Sequence, residues 1–143
     1  MFRHILVPVD FSEHSKVALR LAVQLARAHG GQLTLLHVGS EPGFYVGGPD
    51  IPLTLVAQYE ELAAAEGHEV ERLAREEVPP DVTWRVELRD GYPPETILAA
   101  AESTGCDLIV MGTHGRTGLG RALLGSVTER VLHHAKVPVL VTR

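Results

Sequence analysis

The sequence is poor in cysteine, in lysine and in long apolar runs, and these shortages exclude several classes of protein. Cys106 is the single cysteine, so no intrachain disulfide can form, which is typical of a reducing compartment. The net charge of −5 argues against general nucleic-acid binding. No run approaches the roughly 20 apolar residues of a membrane span, and the apolar start is too short for a signal peptide. We therefore expect a cytoplasmic protein without a nucleic-acid or membrane partner.

The length and the apolar pattern predict one domain of alternating strands and helices. At 143 residues and 45% hydrophobic content, a single globular domain over 1–143 is expected. Short apolar runs predict strands at residues 5–9, 32–38, 82–88, 107–111 and 137–141. Helical periodicity and capping signals predict helices at residues 12–28, 53–77, 94–103 and 127–134. The predicted buried stripe of the second helix consists of Leu55, Tyr59, Leu62, Val70 and Leu73.

This alternation predicts an α/β fold: one doubly wound, five-stranded parallel sheet with helices on both faces. The first and fourth strands are apolar throughout and belong in the centre, whereas the alternating pattern of 82–88 is typical of an edge. We therefore predict the strand order 3-2-1-4-5. In such sheets ligands bind at the carboxyl ends of the strands where the order reverses. That point lies between the first and fourth strands, next to residues 9–12.

The loop after the fourth strand is unusually rich in glycine. Residues 111–128 read MGTHGRTGLGRALLGSVT, with glycines at 112, 115, 118, 120 and 125. A buried strand, a glycine-rich loop and a helix N-terminus together form a common phosphate site. Alternatively, Ser126 and Glu129 form an S-x-x-E capping box, and Gly125 is a turn residue, which needs no ligand. A cap alone does not account for five glycines, so the pattern favours an anion site.

Three familiar classes of site do not fit this sequence. A Walker A loop needs a lysine and a hydroxyl residue after its last glycine, but Arg121-Ala122 follows Gly120. A dinucleotide-binding fold needs glycines after the first strand, where this chain has Asp10-Phe11-Ser12. A receiver domain needs an acceptor aspartate at the end of a middle strand, and none occurs there.

The loop does resemble that of ATP-binding universal stress proteins. Their motif G-x2-G-x9-G-[ST] is matched by Gly112, Gly115, Gly125 and Ser126. Three further segments are similar to that family: the opening ILVPVDFSEHSKVAL, the central GYPPETI and the closing KVPVLV. The resemblance covers the chain except for residues 39–52, and it implies the adenine nucleotide alpha hydrolase-like form of the fold.

The resemblance implies that the ligand is ATP, alone or with Mg²⁺ or Mn²⁺. It places the site on four segments, which are Pro8, Val9 and Asp10 at the nucleoside, Val38 at the adenine edge, Met111, Gly112, His114 and Gly115 at the ribose and phosphates, and Gly125, Ser126, Val127 and Thr128 at the phosphates. Three of these residues have simpler interpretations. Asp10 could be an acid near a helix cap, Met111 could be a core residue, and His114 could face solvent.

The residues near this site favour binding over catalysis. Fast phosphoryl transfer needs a held metal, a positioned nucleophile and a cation on the leaving charge. The two lysines, Lys16 and Lys136, lie outside the glycine loop, and Arg116 and Arg121 either contact phosphate or only solubilise the loop. We expect a stress-response regulatory module that binds ATP and hydrolyses it slowly or not at all. The alternative is an ATP-independent dimeric interaction module with a structural glycine loop.

The apolar pattern of the last strand predicts that it pairs with a second copy of the chain. Val137, Val139 and Val141 face one way and Pro138 and Leu140 the other, so both faces are apolar. Pro138 cannot donate to a ladder, which places the strand at an edge, and an open apolar edge invites pairing. We predict a homodimer through residues 137–142, unless the chain's own helices cover this edge.

Two regions remain open at this stage. Residues 39–52 are rich in glycine and proline and form either a lid or a disordered crossover. The histidines show no metal-ligand spacing, so no structural metal is expected.

Overall fold

A computed structural model describes residues 1–39, 51–114 and 124–143. The described residues form five strands and four helices in the predicted order. The strands are β1 (His4–Pro8), β2 (Gln32–Gly39), β3 (Thr83–Asp90), β4 (Leu108–Gly112) and β5 (Val139–Thr142). The helices are α1 (Glu13–His29), α2 (Leu53–Glu77), α3 (Pro93–Thr104) and α4 (Ser126–His134).

The sheet has the predicted topology. Its strand order is β3-β2-β1-β4-β5, and all four pairings are parallel. Every residue of β4 is buried, as are four of the five residues of β1, because helices cover both faces of these central strands. The alternating β3 lies at one edge and β5 at the other, which confirms both edge predictions.

Two hydrophobic cores lie on opposite faces of the sheet. On one face α1 and α2 pack over the odd-numbered residues of β1, represented by Ile5 and Val7. On the other face α3 and α4 pack over Leu6, Leu36 and Ile109. The alternation of side chains along a strand sends neighbouring residues to opposite cores, so continuous apolar runs are buried on both sides.

The predicted stripe of α2 is wrong in its first half. Val70 and Leu73 are buried, but Leu55 and Leu62 are 40% and 57% exposed. A helix of 25 residues is about 37 Å long. The neighbouring strands of eight residues span only about 26 Å. The helix therefore overhangs the sheet, and its first half has no described core beneath it.

Two further sequence predictions concern connecting segments and membranes. The interpretation of residues 39–52 as a lid or crossover falls mainly on 40–50, which lie outside the described residues. None of the helices in the described ranges is long and apolar enough to cross a membrane.

Candidate functional site

The candidate site lies where the chain leaves the carboxyl ends of β1 and β4. These two strands are neighbours, yet α1 follows β1 on one face and α4 follows β4 on the other. The strand order reverses between them, which opens a crevice at this end of the sheet. The topology therefore brings together the turn after β1, the end of β4 and the first turn of α4.

The turn from β1 to α1 is held by its own polar groups. Asp10 Oδ1 accepts hydrogen bonds from Ser12 N (3.0 Å) and Ser12 Oγ (2.5 Å). Ser12 caps α1, because its Oγ accepts from Ser15 N at 3.2 Å. Phe11 has a φ of +65°, a conformation that costs a non-glycine residue about 1–3 kcal/mol. Asp10 thus has a structural task at the helix cap, as its simpler interpretation proposed, and its ligand role remains a prediction.

The main chain of Val9 is already engaged within the protein. Val9 N donates to Leu36 O at 2.8 Å. His37 Nδ1 donates to Val9 O at 2.9 Å. The predicted contact of Val9 with a nucleoside must therefore use its side chain or the second lone pair of its carbonyl oxygen. Pro8, the last residue of β1, is partly buried beside Leu36.

Strand β2 extends beyond the end of β1. The β1–β2 pairing ends at Pro8 and Leu36, whereas β2 continues to Gly39 and pairs with β3 throughout. The edge of β2 that carries Val38 consequently has no β1 ladder partner. Main-chain groups on such an edge can bind the donors and acceptors of a flat heterocycle. Val38 lies on this part of β2, and its contact with adenine remains a prediction.

The end of β4 is built around Gly112 and Met111. A Cβ on Gly112 would lie 2.8 Å from His14 Cβ and 2.9 Å from the His14 carbonyl carbon. Only glycine allows α1 to approach β4 so closely, so packing alone demands this residue. The Met111 side chain is 5% exposed and lies in the core beneath α3 and α4. Its interpretation as a core residue thus describes the observed position.

His114 is buried, contrary to the alternative that it faces solvent. Its exposed fraction is 8%, and Nδ1 lies 3.1 Å from Thr113 Oγ1. Its Nε2 is buried and has no hydrogen-bond partner among the described residues. The His14 ring lies against it, with a centroid separation of 5.4 Å. Thr113 holds this segment in place, since its N donates to Thr142 O and its O accepts from Gly125 N.

The alternative interpretation of Ser126 and Glu129 as a capping box is wrong. The N-cap is Gly125, not Ser126, and no side chain of the described residues caps the helix. Ser126 is instead the exposed first residue of the helix. No described group accepts from the amides of Ser126, Val127 and Thr128, which an α-helix cannot satisfy internally. The physical reason is that the Gly125 amide bonds to Thr113 O, which fixes the chain reversal one residue earlier than the motif suggests.

The side chains of this first turn have separate tasks. The Thr128 hydroxyl donates to Gly112 O at 2.8 Å and ties α4 to β4. Its proton is therefore unavailable to a phosphate, and the Thr128 amide is the group that remains. The Val127 side chain packs against the core under α3 and α4. A Cβ on Gly125 would lie 3.0 Å from Thr113 O, so a side chain fits poorly there.

Five residues of the glycine loop that the sequence singles out lie outside the described residues. They are Gly115, Arg116, Gly118, Gly120 and Arg121. The remaining predicted residues are brought to one end of the sheet, although Val9, Met111 and Thr128 are partly or wholly committed to internal contacts.

Two histidines, His14 and His37, were not placed at the site by sequence analysis, because they were tested only for the spacing of metal ligands. His14 lies on the first turn of α1 and meets both Gly112 and His114. His37 is 5% exposed, stacks on Phe11 at 4.9 Å, and places Nε2 3.2 Å from Glu66 Oε2. His37 thereby joins the turn after β1 to α2. Their positions in the sequence could have indicated a place at the site. His14 directly follows the turn after the first strand, and His37 lies near the end of the second strand.

Comparison with known proteins agrees with this geometry. The model of the universal stress protein family matches residues 1–143. A universal stress protein of Thermus aquaticus is 37% identical over 143 residues and covers 100% of both chains. Universal stress protein MJ0577 of Methanocaldococcus jannaschii is 33% identical, covering 100% of this chain and 96% of its own.

Solved structures give the same result. The structure of MJ0577 superposes with a TM-score of 0.81 at 31% identity, covering 99% of this chain and 96% of that one. Universal stress protein UspA from Lactobacillus plantarum superposes with a TM-score of 0.80 at 29% identity, covering 99% and 98%. The resemblance in the glycine loop therefore extends over the entire fold. The chain belongs to the universal stress protein family.

Proposed function

We propose that this protein binds ATP in the crevice between β1 and β4, as a cytoplasmic regulatory module of the stress response. The observation that carries this proposal is the first turn of α4, which no side chain of the described residues caps. The amides of Ser126, Val127 and Thr128 have no described acceptor, and the helix dipole adds partial positive charge at this end. An anion is the ligand that satisfies both features.

The energetics are adequate for a micromolar complex. A hydrogen bond to a charged acceptor contributes about 1.5–3 kcal/mol, so three amides contribute about 5–9 kcal/mol. A micromolar affinity needs about 8 kcal/mol after the cost of association. Burial of the adenine against the free edge of β2 near Val38 would supply the remainder. The phosphates thus require no lysine.

Nucleotide complexes are known for this fold. Universal stress proteins with TM-scores of 0.68 and 0.60 have been solved with cAMP and with dAMP. Their identities to this chain are 22% and 20%, so the likeness concerns the fold. The proposal for this protein therefore depends on its own residues, above all on the first turn of α4.

The contacts of Asp10 and of both lysines argue for slow hydrolysis of ATP or none. Asp10 is engaged by the Ser12 amide and hydroxyl. Lys16 lies 3.3 Å from Glu13, and Lys136 lies 2.7 Å from Glu102 on α3. Phosphoryl transfer needs a positioned nucleophile and a cation on the leaving charge. We expect a turnover below about 1 per second, the lower end of ordinary enzymes.

The test is direct. Freshly purified protein is denatured, and the supernatant is examined for adenine nucleotide by mass spectrometry. The stripped protein is then titrated with ATP by calorimetry, and phosphate release is followed separately. Release of nucleotide, or micromolar binding of ATP, supports the proposal. A protein that carries no nucleotide and binds no ATP contradicts it.

A second candidate function is an ATP-independent dimeric interaction module. The observation that favours it is that packing accounts for two motif glycines, because His14 crowds Gly112 and Thr113 crowds Gly125. The motif could then persist without a ligand. The ATP titration separates the two candidates, since only the first predicts binding.

For either candidate we propose a homodimer through residues 137–142. Strand β5 forms an edge of the sheet, and Leu140 is 37% exposed on its outer face. Val137, Val139 and Val141 pack instead against the core of their own chain. An apolar edge strand can extend the sheet of a second copy. Light scattering of the protein at micromolar concentration tests this.

A further inference from the structure

We propose that His14 and His114 form the protein half of a site for a divalent transition-metal ion. Oxygens of the bound nucleotide phosphates would complete the coordination. The inference rests on the proposed function for those phosphates. It concerns the side chains that meet at the end of β4, opposite the first turn of α4.

The first observation is an unsatisfied nitrogen. His114 Nε2 is buried and lacks a partner among the described residues, although the residue is only 8% exposed. Leaving a buried polar atom unpaired costs about 1–3 kcal/mol. A ligand that enters the crevice would complete the bonding of this atom.

The second observation is the arrangement of the two rings. Their centroids are 5.4 Å apart and their planes meet at 51°. An imidazole nitrogen lies about 1.1 Å from its ring centroid and binds Zn²⁺ at about 2.0–2.1 Å, so a shared ion lies about 3.2 Å from each centroid. At the observed separation the two centroids subtend about 115° at the ion, near the tetrahedral angle. The centroid separation therefore leaves room for one ion between the two rings.

The surroundings hold the His114 ring and the His14 backbone in place. His114 Nδ1 can donate to Thr113 Oγ1, and this tautomer leaves a lone pair on Nε2 for a metal. Thr113 is itself fixed by backbone hydrogen bonds to Thr142 and Gly125. His14 is anchored by the close approach of its backbone to Gly112. Supported imidazoles of this kind are the usual metal ligands in proteins.

The donor set decides which ions fit. Imidazole suits zinc, nickel, copper and cobalt, whereas Mg²⁺ prefers oxygen ligands. Within the described residues no cluster of three or more histidine, cysteine or acidic side chains could hold a metal ion. In a tetrahedral site with two imidazole ligands, two positions remain for phosphate oxygens and water. The site should bind a transition metal weakly alone and more tightly with nucleotide.

The experiment compares metal–ATP complexes in the full-length protein. ATP is titrated with excess Co²⁺ or excess Mg²⁺, so that all nucleotide is complexed, in wild type, His14→Gln and His14→Ala. His68→Gln is the matched control, because His68 is an exposed histidine on α2. Wild type and the control should prefer cobalt–ATP over magnesium–ATP by about tenfold or more. Both His14 variants should lose that preference, with circular dichroism confirming that they fold.

A second measurement omits the nucleotide. Zn²⁺ is added to protein with ¹⁵N-labelled histidine, and two ring signals should shift together, one of which is absent in His14→Gln. No zinc-dependent shift, or an equal cobalt preference in the His14 variants, overturns the inference. An affinity that rises on acidification without metal preference also overturns it and indicates phosphate binding by imidazolium. If ATP does not bind at all, the proposed function fails, and the zinc titration still decides on the histidine pair.

Discussion

The substitution Gly125→Ala tests whether the first turn of α4 binds the phosphates. Gly125 has φ −63° and ψ 150°, which alanine adopts without strain. The new Cβ would nevertheless lie 3.0 Å from Thr113 O and 3.4 Å from His114 Cα. The first contact is too close, so the N-terminus of α4 must move away from β4 by a few tenths of an ångström.

The expected loss follows from that displacement. Misaligning one amide that binds a charged oxygen removes about 1.5–3 kcal/mol, which raises the Kd for ATP about 10- to 100-fold. Alanine is also a poorer N-cap than glycine, so the free energy of unfolding should fall by about 1 kcal/mol or less. Gly125→Val should abolish binding, because two further methyl groups enter the same space.

The assay is calorimetric titration with ATP, together with urea unfolding of each variant. Gly67→Ala is the matched control, since Gly67 lies within α2 and its Cβ would meet only the movable end of the Leu88 side chain on β3. The control should bind ATP as wild type does. If Gly125→Ala loses stability but binds ATP within about twofold of wild type, the glycine serves packing alone and the reasoning about the amides is refuted.

Three further predictions address stability and assembly. Burial, and after it the positive charge of the nearby Arg85, lowers the pKa of His4 from its usual 6.5. Folding therefore disfavours protonation of His4. The contribution of the neutral ring to the free energy of unfolding is complete above pH 6.5 and is lost as the pH falls through the lower pKa of the folded state. Urea unfolding between pH 7.5 and 5 should show a smaller decline in His4→Gln, and an identical decline would contradict the assignment. Thr128→Val leaves Gly112 O without its hydroxyl donor and should cost about 1–3 kcal/mol of unfolding free energy in the same assay; an unchanged value would show that the bond is dispensable. Leu140→Lys charges the exposed face of β5 and should yield monomers by light scattering, whereas a dimeric mutant would place the interface elsewhere.

The fold could be predicted from the amino-acid sequence alone. Continuous apolar runs put β1 and β4 in the centre, and the alternating third strand belonged at an edge, because burial on one or both faces imposes those patterns. Gly30 ended α1 with a φ of +62°, as a glycine after a helix predicts. The predicted strand order also locates the candidate crevice, since it fixes where a parallel sheet of this kind opens.

Tertiary structure decided how individual residues serve that site. The burial of His114, its contact with His14 and the need for glycine at 112 arise where α1 meets the end of β4, between segments about a hundred residues apart. The cap of α4 moved from Ser126 to Gly125 because Thr113 O binds the Gly125 amide. A local motif indicates the hydrogen bonds that a segment can make with itself. The bonds described here depend instead on atoms that tertiary packing brings next to the segment.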